Sequence, residues 1–144
     1  MSRYPPSDVF EAEPWHHAMW ELHCHRAKGT KHTWIETLNR LAKKGEALIN
    51  ARGDVIPRAG LPEFVPERLS ARMELWDMDR LLDARHAKPH HRVKPKCDYC
   101  PILVLSLFGK QFVIDGGTRL NRRIIDGDVG PHRVVVLEHH ERDI

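Results

Sequence analysis

Cysteine is scarce in this sequence, three among 144 residues and an odd number, which excludes a small disulfide-stapled scaffold. Long apolar runs are missing too. Stretches such as Ile102 to Leu105 fall far short of the ~20 residues that a membrane-spanning helix needs. Neither sign of charge predominates: 23 Lys and Arg against 20 Asp and Glu leave +3, too little to steer the whole molecule toward nucleic acid. Met1 to Phe10 lack the basic-then-apolar order of a secretory leader, so a cytoplasmic protein is expected. There is no internal repeat and no low-complexity tract. With 41% hydrophobic and 30% charged residues, the chain reads as an ordinary soluble protein. Its length suits one domain, or one domain with an appendage, that buries roughly 68–70% of its unfolded surface.

Histidine is abundant, at eleven residues, so the effective charge climbs as pH falls toward 6. Basic residues cluster locally. Arg85 to Lys96 holds five Lys or Arg and three His without a carboxylate. Arg92, Lys94 and Lys96 in this run can contact nucleic-acid phosphates, or they form a solvated loop. Only Tyr99 lies nearby for base stacking, which argues against single-strand readout.

The amino-terminal third reads as helical. Pro14 opens a segment with Trp15, Ala18, Met19 and Leu22 on one face, ending near Gly29. Thr33-Trp34-Ile35-Glu36 has the pattern of a capping box, and Ile35, Leu38, Ala42 and Ile49 continue an apolar stripe to Gly53. Residues 54–72 then form a Pro/Gly-punctuated linker with a short helix opened by Pro66. A strand is expected over Met73–Trp76 and a helix capped by Asp77 up to about His86. Ile102–Leu105 and Gln111–Ile114 read as strands joined by a tight turn at Phe108-Gly109-Lys110. A helix over Arg119–Asp126, with Leu120, Ile124 and Ile125 toward the sheet, and a final strand Val134–Leu137 complete the unit. The organisation is therefore a helical segment 1–53, a linker 54–72 and an α+β domain 73–144.

Between the second strand and the last helix stands Asp115-Gly116-Gly117-Thr118-Arg119. Glycines let backbone approach a ligand, and a helix start presents free amides with the positive end of its dipole. Thr118 can donate a hydroxyl, Arg119 can grip an anion in two-pronged fashion, and Asp115 can orient Arg119, hold a ribose hydroxyl or hold a cation. These residues form an anion pocket, with phosphate the natural occupant. The alternative is a plain connector with Thr118 as the helix cap and Arg119 in solvent.

The run Cys100-Pro101-Ile102-Leu103-Val104, then Phe112 to Leu120, then Gly127 and Arg133-Val134-Val135-Val136, resembles the ParB/sulfiredoxin superfamily. Members show P-I-x-V, a hairpin, x-I-D-G-x-x-R, a helix, a glycine and a V-P-V-x-V strand. The similarity spans about residues 73–138, roughly half of the chain. It implies a small mixed sheet with helices and phosphate binding at Asp115, Gly116, Gly117, Thr118 and Arg119. The family includes nucleotide-binding domains of partition proteins, ParB-like nucleases, sulfiredoxins and small-molecule kinases. This sequence departs from several of them. The D-G-H-H-R of nuclease- and kinase-like members has Gly117 and Thr118 in place of its histidines. The cysteine of the sulfiredoxin turn is replaced by Thr118, which excludes sulfinic acid reduction. The glutamate-arginine-arginine version of partition proteins is absent, although Arg122 and Arg123 lie one turn further along. No DNA-binding module follows residue 138, so a complete partition protein is not expected.

Three readings follow. The first is a phosphate-, nucleotide- or nucleic-acid-binding domain, with Arg92, Lys94, Lys96, Arg122 and Arg123 extending its basic surface. The second is a ParB-like nuclease or phosphotransferase, with Asp115, Glu138 and His139 as candidate base or magnesium ligands. The third is a non-catalytic accessory protein of a mobile element, and in any of the three the amino-terminal helices can join two copies or a partner.

Cys97-Asp98-Tyr99-Cys100 is half of a zinc site, which Cys24 and His23 of the His23-Cys24-His25 cluster can complete; otherwise these are reduced, half-buried thiols. His17, Glu21 and Cys24 share a helical face, better read as a solvated one. Trp15, Trp20, Trp34 and Trp76 are core or interface residues, and Asp126, Asp128 and His132 belong to turn chemistry.

Overall fold

The computed structural model describes residues 31–43, 47–88 and 101–144. The elements are α1 (Lys31–Lys43), β1 (Leu48–Ile49), β2 (Val55–Ile56), β3 (Leu69–Trp76), α2 (Met78–Ala84), β4 (Ile102–Leu107), β5 (Lys110–Asp115), α3 (Gly117–Ile125) and β6 (His132–His139), with 3-10 turns at Arg58–Gly60 and Pro66–Arg68. The chain is thus mixed α+β. The first expected helix, with Trp15 and Trp20, lies outside the described residues.

β3, β6, β4 and β5 form one sheet in that order. β3 runs antiparallel to β6 and β4 antiparallel to β5, while β4 and β6 are parallel. Parallel pairing requires a crossover, and β5 with α3 supplies it. Ile102–Leu105 and Val134–Leu137 are unbroken apolar runs because both faces of these central strands are covered. Alternate residues serve alternate cores. Leu103, Leu105, Leu107, Val135 and Leu137 pack with Trp34, Ile35, Leu38, Ile56 and Phe64 on the α1 side. Ile102, Val104, Val134 and Val136 pack with Trp76, Leu81, Ala84 and Leu120 on the side of α2 and α3.

Several expectations need correction. Thr33 lies within α1 rather than at its cap, and the helix does not run to Gly53. Ile49 instead pairs with Val55 in the β1–β2 hairpin. The reason is the turn chemistry of Asn50-Ala51-Arg52-Gly53-Asp54. Asn50 Oδ1 accepts from Asp54 N at 2.9 Å, its Nδ2 donates to Asp54 Oδ2 at 3.0 Å, and Gly53 takes a φ of +102°. The segment read as a linker contributes Ile56 and Phe64 to the core. β3 starts at Leu69 rather than Met73. Ile125 is 61% exposed, so only Leu120 and Ile124 of α3 face the sheet.

Other features fall where the residues put them. Asp77 caps α2 through a 2.9 Å bond from Arg80 N to Oδ1. Phe108 and Gly109 both adopt positive φ in the β4–β5 turn, whose backbone twist suits a two-residue hairpin. Trp34 and Trp76 are core residues.

Candidate functional site

The Asp115–Arg119 turn sits where β5 ends and α3 begins. β5 carries a bulge just before it. Val104 pairs with Val113 but Leu103 pairs with Asp115, so Ile114 is the extra residue. Bulges re-aim the chain that follows them.

Gly116 is the helix cap, in the left-handed region at φ +93°, ψ +17°. Gly116 has no side chain with which to cap the helix, and Thr118 lies within it, so Thr118 is not the cap. α3 has no acidic residue in its first turn either. Helix geometry leaves the first amides, at Gly117, Thr118 and Arg119, without intrahelical acceptors.

Arg119 is not in solvent. Its side chain is 13% exposed and folds back over Gly116. A Cβ built at position 116 would lie 2.8 Å from Arg119 Nη2. Glycine is thus required there twice, by backbone conformation and by the close approach of the guanidinium. Nη2 donates to Pro101 O at 3.0 Å and lies 3.9 Å from Asp115 Oδ2. Arg119 Nε is buried and has no acceptor among the described residues. The turn therefore brings together the glycine cap, the first amides of the helix and an inward guanidinium beside one carboxylate and one carbonyl. Chemically, it offers donors and positive charge to an oxyanion.

The remaining predicted residues are more scattered. Arg122 pairs with Asp126 at 3.3 Å, both about half exposed, and Arg123 is half-buried. Arg92, Lys94, Lys96, His23, Cys24, Cys97 and Cys100 lie outside the described residues. Among the described residues no group of three or more His, Cys, Asp or Glu is placed to hold a metal ion. His139 is buried and accepts a hydrogen bond from Val65 N at Nε2, 3.1 Å, with its ring edge-on to Phe64. Burial, then the charge of Arg68, holds its pKa below the ordinary imidazole value. It serves the core of the α1 side, not the turn. Asp128 and His132 do act in turn structure: Asp128 Oδ1 accepts from Gly130 N at 3.1 Å, and His132 Nε2 meets Asp128 O at 3.0 Å.

A second polar group was not singled out from sequence. On β3 and the end of β6, Arg72 bonds Glu74 and, at 2.6 Å, Glu138. Glu74 also accepts from Trp76 Nε1 at 2.8 Å, and Arg80 stacks 4.0 Å above the Trp76 ring. Ser70 Oγ meets His140 Nε2 at 2.9 Å, and His140 Nδ1 lies 3.6 Å from Glu138. Burial pushes the Glu74 carboxyl up, but the bonds from Trp76 and Arg72 and the charges of Arg72 and Arg80 outweigh it and hold the pKa low. Arg72 stays above its ordinary value against the pull of burial, through the same two glutamates. The sequence signal was the period-2 spacing Ser70, Arg72, Glu74 and Glu138, His140. A groove of about 590 Å³ lined by Asn39, Lys43, Arg58 and Glu63 lies on the α1 side, away from the turn.

Comparisons with known protein families, with curated proteins and with solved structures find no match. No described helix is long and apolar enough to cross a membrane.

Proposed function

We propose that this protein is a ParB-like domain that binds phosphate, as a free anion, in a nucleotide or in a nucleic-acid backbone, at Asp115-Gly116-Gly117-Thr118-Arg119. The observation that carries the reading is the inward guanidinium of Arg119 folded over Gly116 at the start of α3. The strand, hairpin, glycine turn, helix and parallel return strand supports it as well, because that order matches the one the motif resemblance implies.

In this reading the amides of Gly117, Thr118 and Arg119 donate to phosphate oxygens, with the helix dipole behind them. Arg119 supplies the charge-assisted bonds, and its unpaired Nε gains an acceptor. Asp115 keeps the guanidinium oriented. Thr118 adds a hydroxyl at the rim. The readings as nuclease or phosphotransferase need a base near the turn. Among the three candidates named from sequence only Asp115 is there, so binding is favoured over turnover.

The experiment is equilibrium binding of inorganic phosphate, ATP and a short DNA duplex to the wild type and to Arg119→Ala. Charge-assisted hydrogen bonds contribute about 1.5–3 kcal/mol, so the variant should bind roughly tenfold to a hundredfold more weakly. Equal binding by both proteins would refute the assignment.

A further inference from the structure

The sheet has two edges of different character. β5, at one edge, is bulged, and Asn50 Nδ2 donates to its Gln111 carbonyl at 2.8 Å. β3, at the other, is eight residues long, contains no proline and pairs with β6 from end to end without a bulge. Among the described residues β3 has no strand on its outer side. Natural edges usually carry a device against pairing; β3 has no proline and no bulge, and its two charges, Arg72 and Glu74, are of opposite sign and can pair with each other across two copies.

We propose that β3 is the contact between two copies of this chain. The two β3 strands pair antiparallel about a two-fold axis at Met73 and join the sheets into one. The register follows from the side chains. With Met73 opposite its own counterpart, Arg72 of each copy lies opposite Glu74 of the other, and the symmetry makes this pairing twice. Leu75, which is 65% exposed, comes opposite Ala71 of the other copy and is covered. Shifting the pairing by two residues, to centre it on Arg72 or Glu74, sets like charges against each other. Opposite charges on facing strands stabilise, and like charges destabilise. Arg72 and Glu74 have 40% and 24% of their side-chain surface exposed, so each keeps room for a second partner. A two-strand contact is smaller than a standard interface, so the dimer is a weak one, formed at micromolar concentrations or above.

The test combines sedimentation velocity over a concentration series with oxidative cross-linking of the full-length chain. The wild type should pass from monomer to dimer with rising concentration. Met73→Cys should give a 73–73 disulfide peptide, because facing residues lie about 4.5–5.5 Å apart. Leu75→Cys should give no 75–75 peptide, because those positions are separated by about 13 Å along the strands. Glu74→Lys, with folding checked by circular dichroism, should weaken the dimer about tenfold or more. A monomer at every concentration would overturn the proposal. So would a dimer without the 73–73 link, which places the contact elsewhere, including on a segment of this chain lying along β3. Phosphate binding plays no part in these readouts.

Discussion

The two faces of the four-stranded sheet are buried by different means. On the α1 side nearly every inward position is apolar, from Leu69 and Ala71 on β3 to Phe112 on β5. On the other side the apolar patch stops half-way. Near the turn, Trp76, Ile102, Val104, Val134 and Val136 lie under α2 and α3. Toward the far end, Ser70, Arg72, Glu74 and Glu138 take over and satisfy one another through hydrogen bonds and ion pairs. The first face is a support. The second carries the candidate ligand turn at one end and a polar network at the other. If the proposed anion site is right, stability and function are divided between the faces, and mutations should reveal the division.

The largest effect is expected on the α1 face. Leu105→Ala removes a side chain that is 1% exposed among packed neighbours and should destabilise the fold by about 2–5 kcal/mol, read by urea denaturation. Phosphate binding at temperatures where the variant stays folded should be unchanged. A loss of binding by the folded variant would break the proposed division. Gly116→Ala acts on the other face. Forcing a side chain into the left-handed region costs about 1–2 kcal/mol, and the new Cβ displaces the guanidinium. Here modest destabilisation should come with a large loss of anion affinity. Smaller still is Asp77→Ala, which removes the α2 cap and should cost about 1 kcal/mol with little effect on binding.

Acid should separate the faces as well. His139, on the α1 face, is held neutral in the fold, so below its ordinary value of 6.5 the unfolded chain takes up a proton that the folded one refuses. Stability therefore falls as pH drops through 6.5 toward the lower folded value. Glu74, on the other face, has a depressed pKa, and its contribution persists below pH 6.5. It fades only as pH falls from its ordinary 4.5 through the lower folded value. Denaturation of His139→Gln should show a flatter slope just below pH 6.5, with the acid limb below 4.5 retained. An unchanged slope would remove His139 from this account.

Much of the second half of the chain was legible in sequence because its signals are local. Asp77 caps a helix and Phe108-Gly109 turns a hairpin, whereas α3 was read from Arg119 with Thr118 as a candidate cap and in fact starts at Gly117 with Gly116 at the cap. The β1–β2 hairpin was not legible, since two-residue strands have no periodicity to detect, and Ile49 happens to fall on the stripe that Ile35, Leu38 and Ala42 begin. Phe64 looked like linker because its burial depends on a distant partner. Asn39 exchanges hydrogen bonds with the Phe64 backbone across 25 positions. At the turn, residue types pointed to an anion pocket, but the inward course of Arg119 depends on the Pro101 carbonyl, 18 positions earlier. The Arg72 network was missed because half of β3 was read as linker, which hid the alternation of its polar residues.

The central claim is tested most directly by following backbone amide resonances as inorganic phosphate is added to the ¹⁵N-labelled protein. The account predicts saturable shifts concentrated at Gly117, Thr118 and Arg119, with the Arg119 Nε–H moving in step. Shifts confined to other parts of the molecule, or none at the α3 start when phosphate saturates, would contradict it.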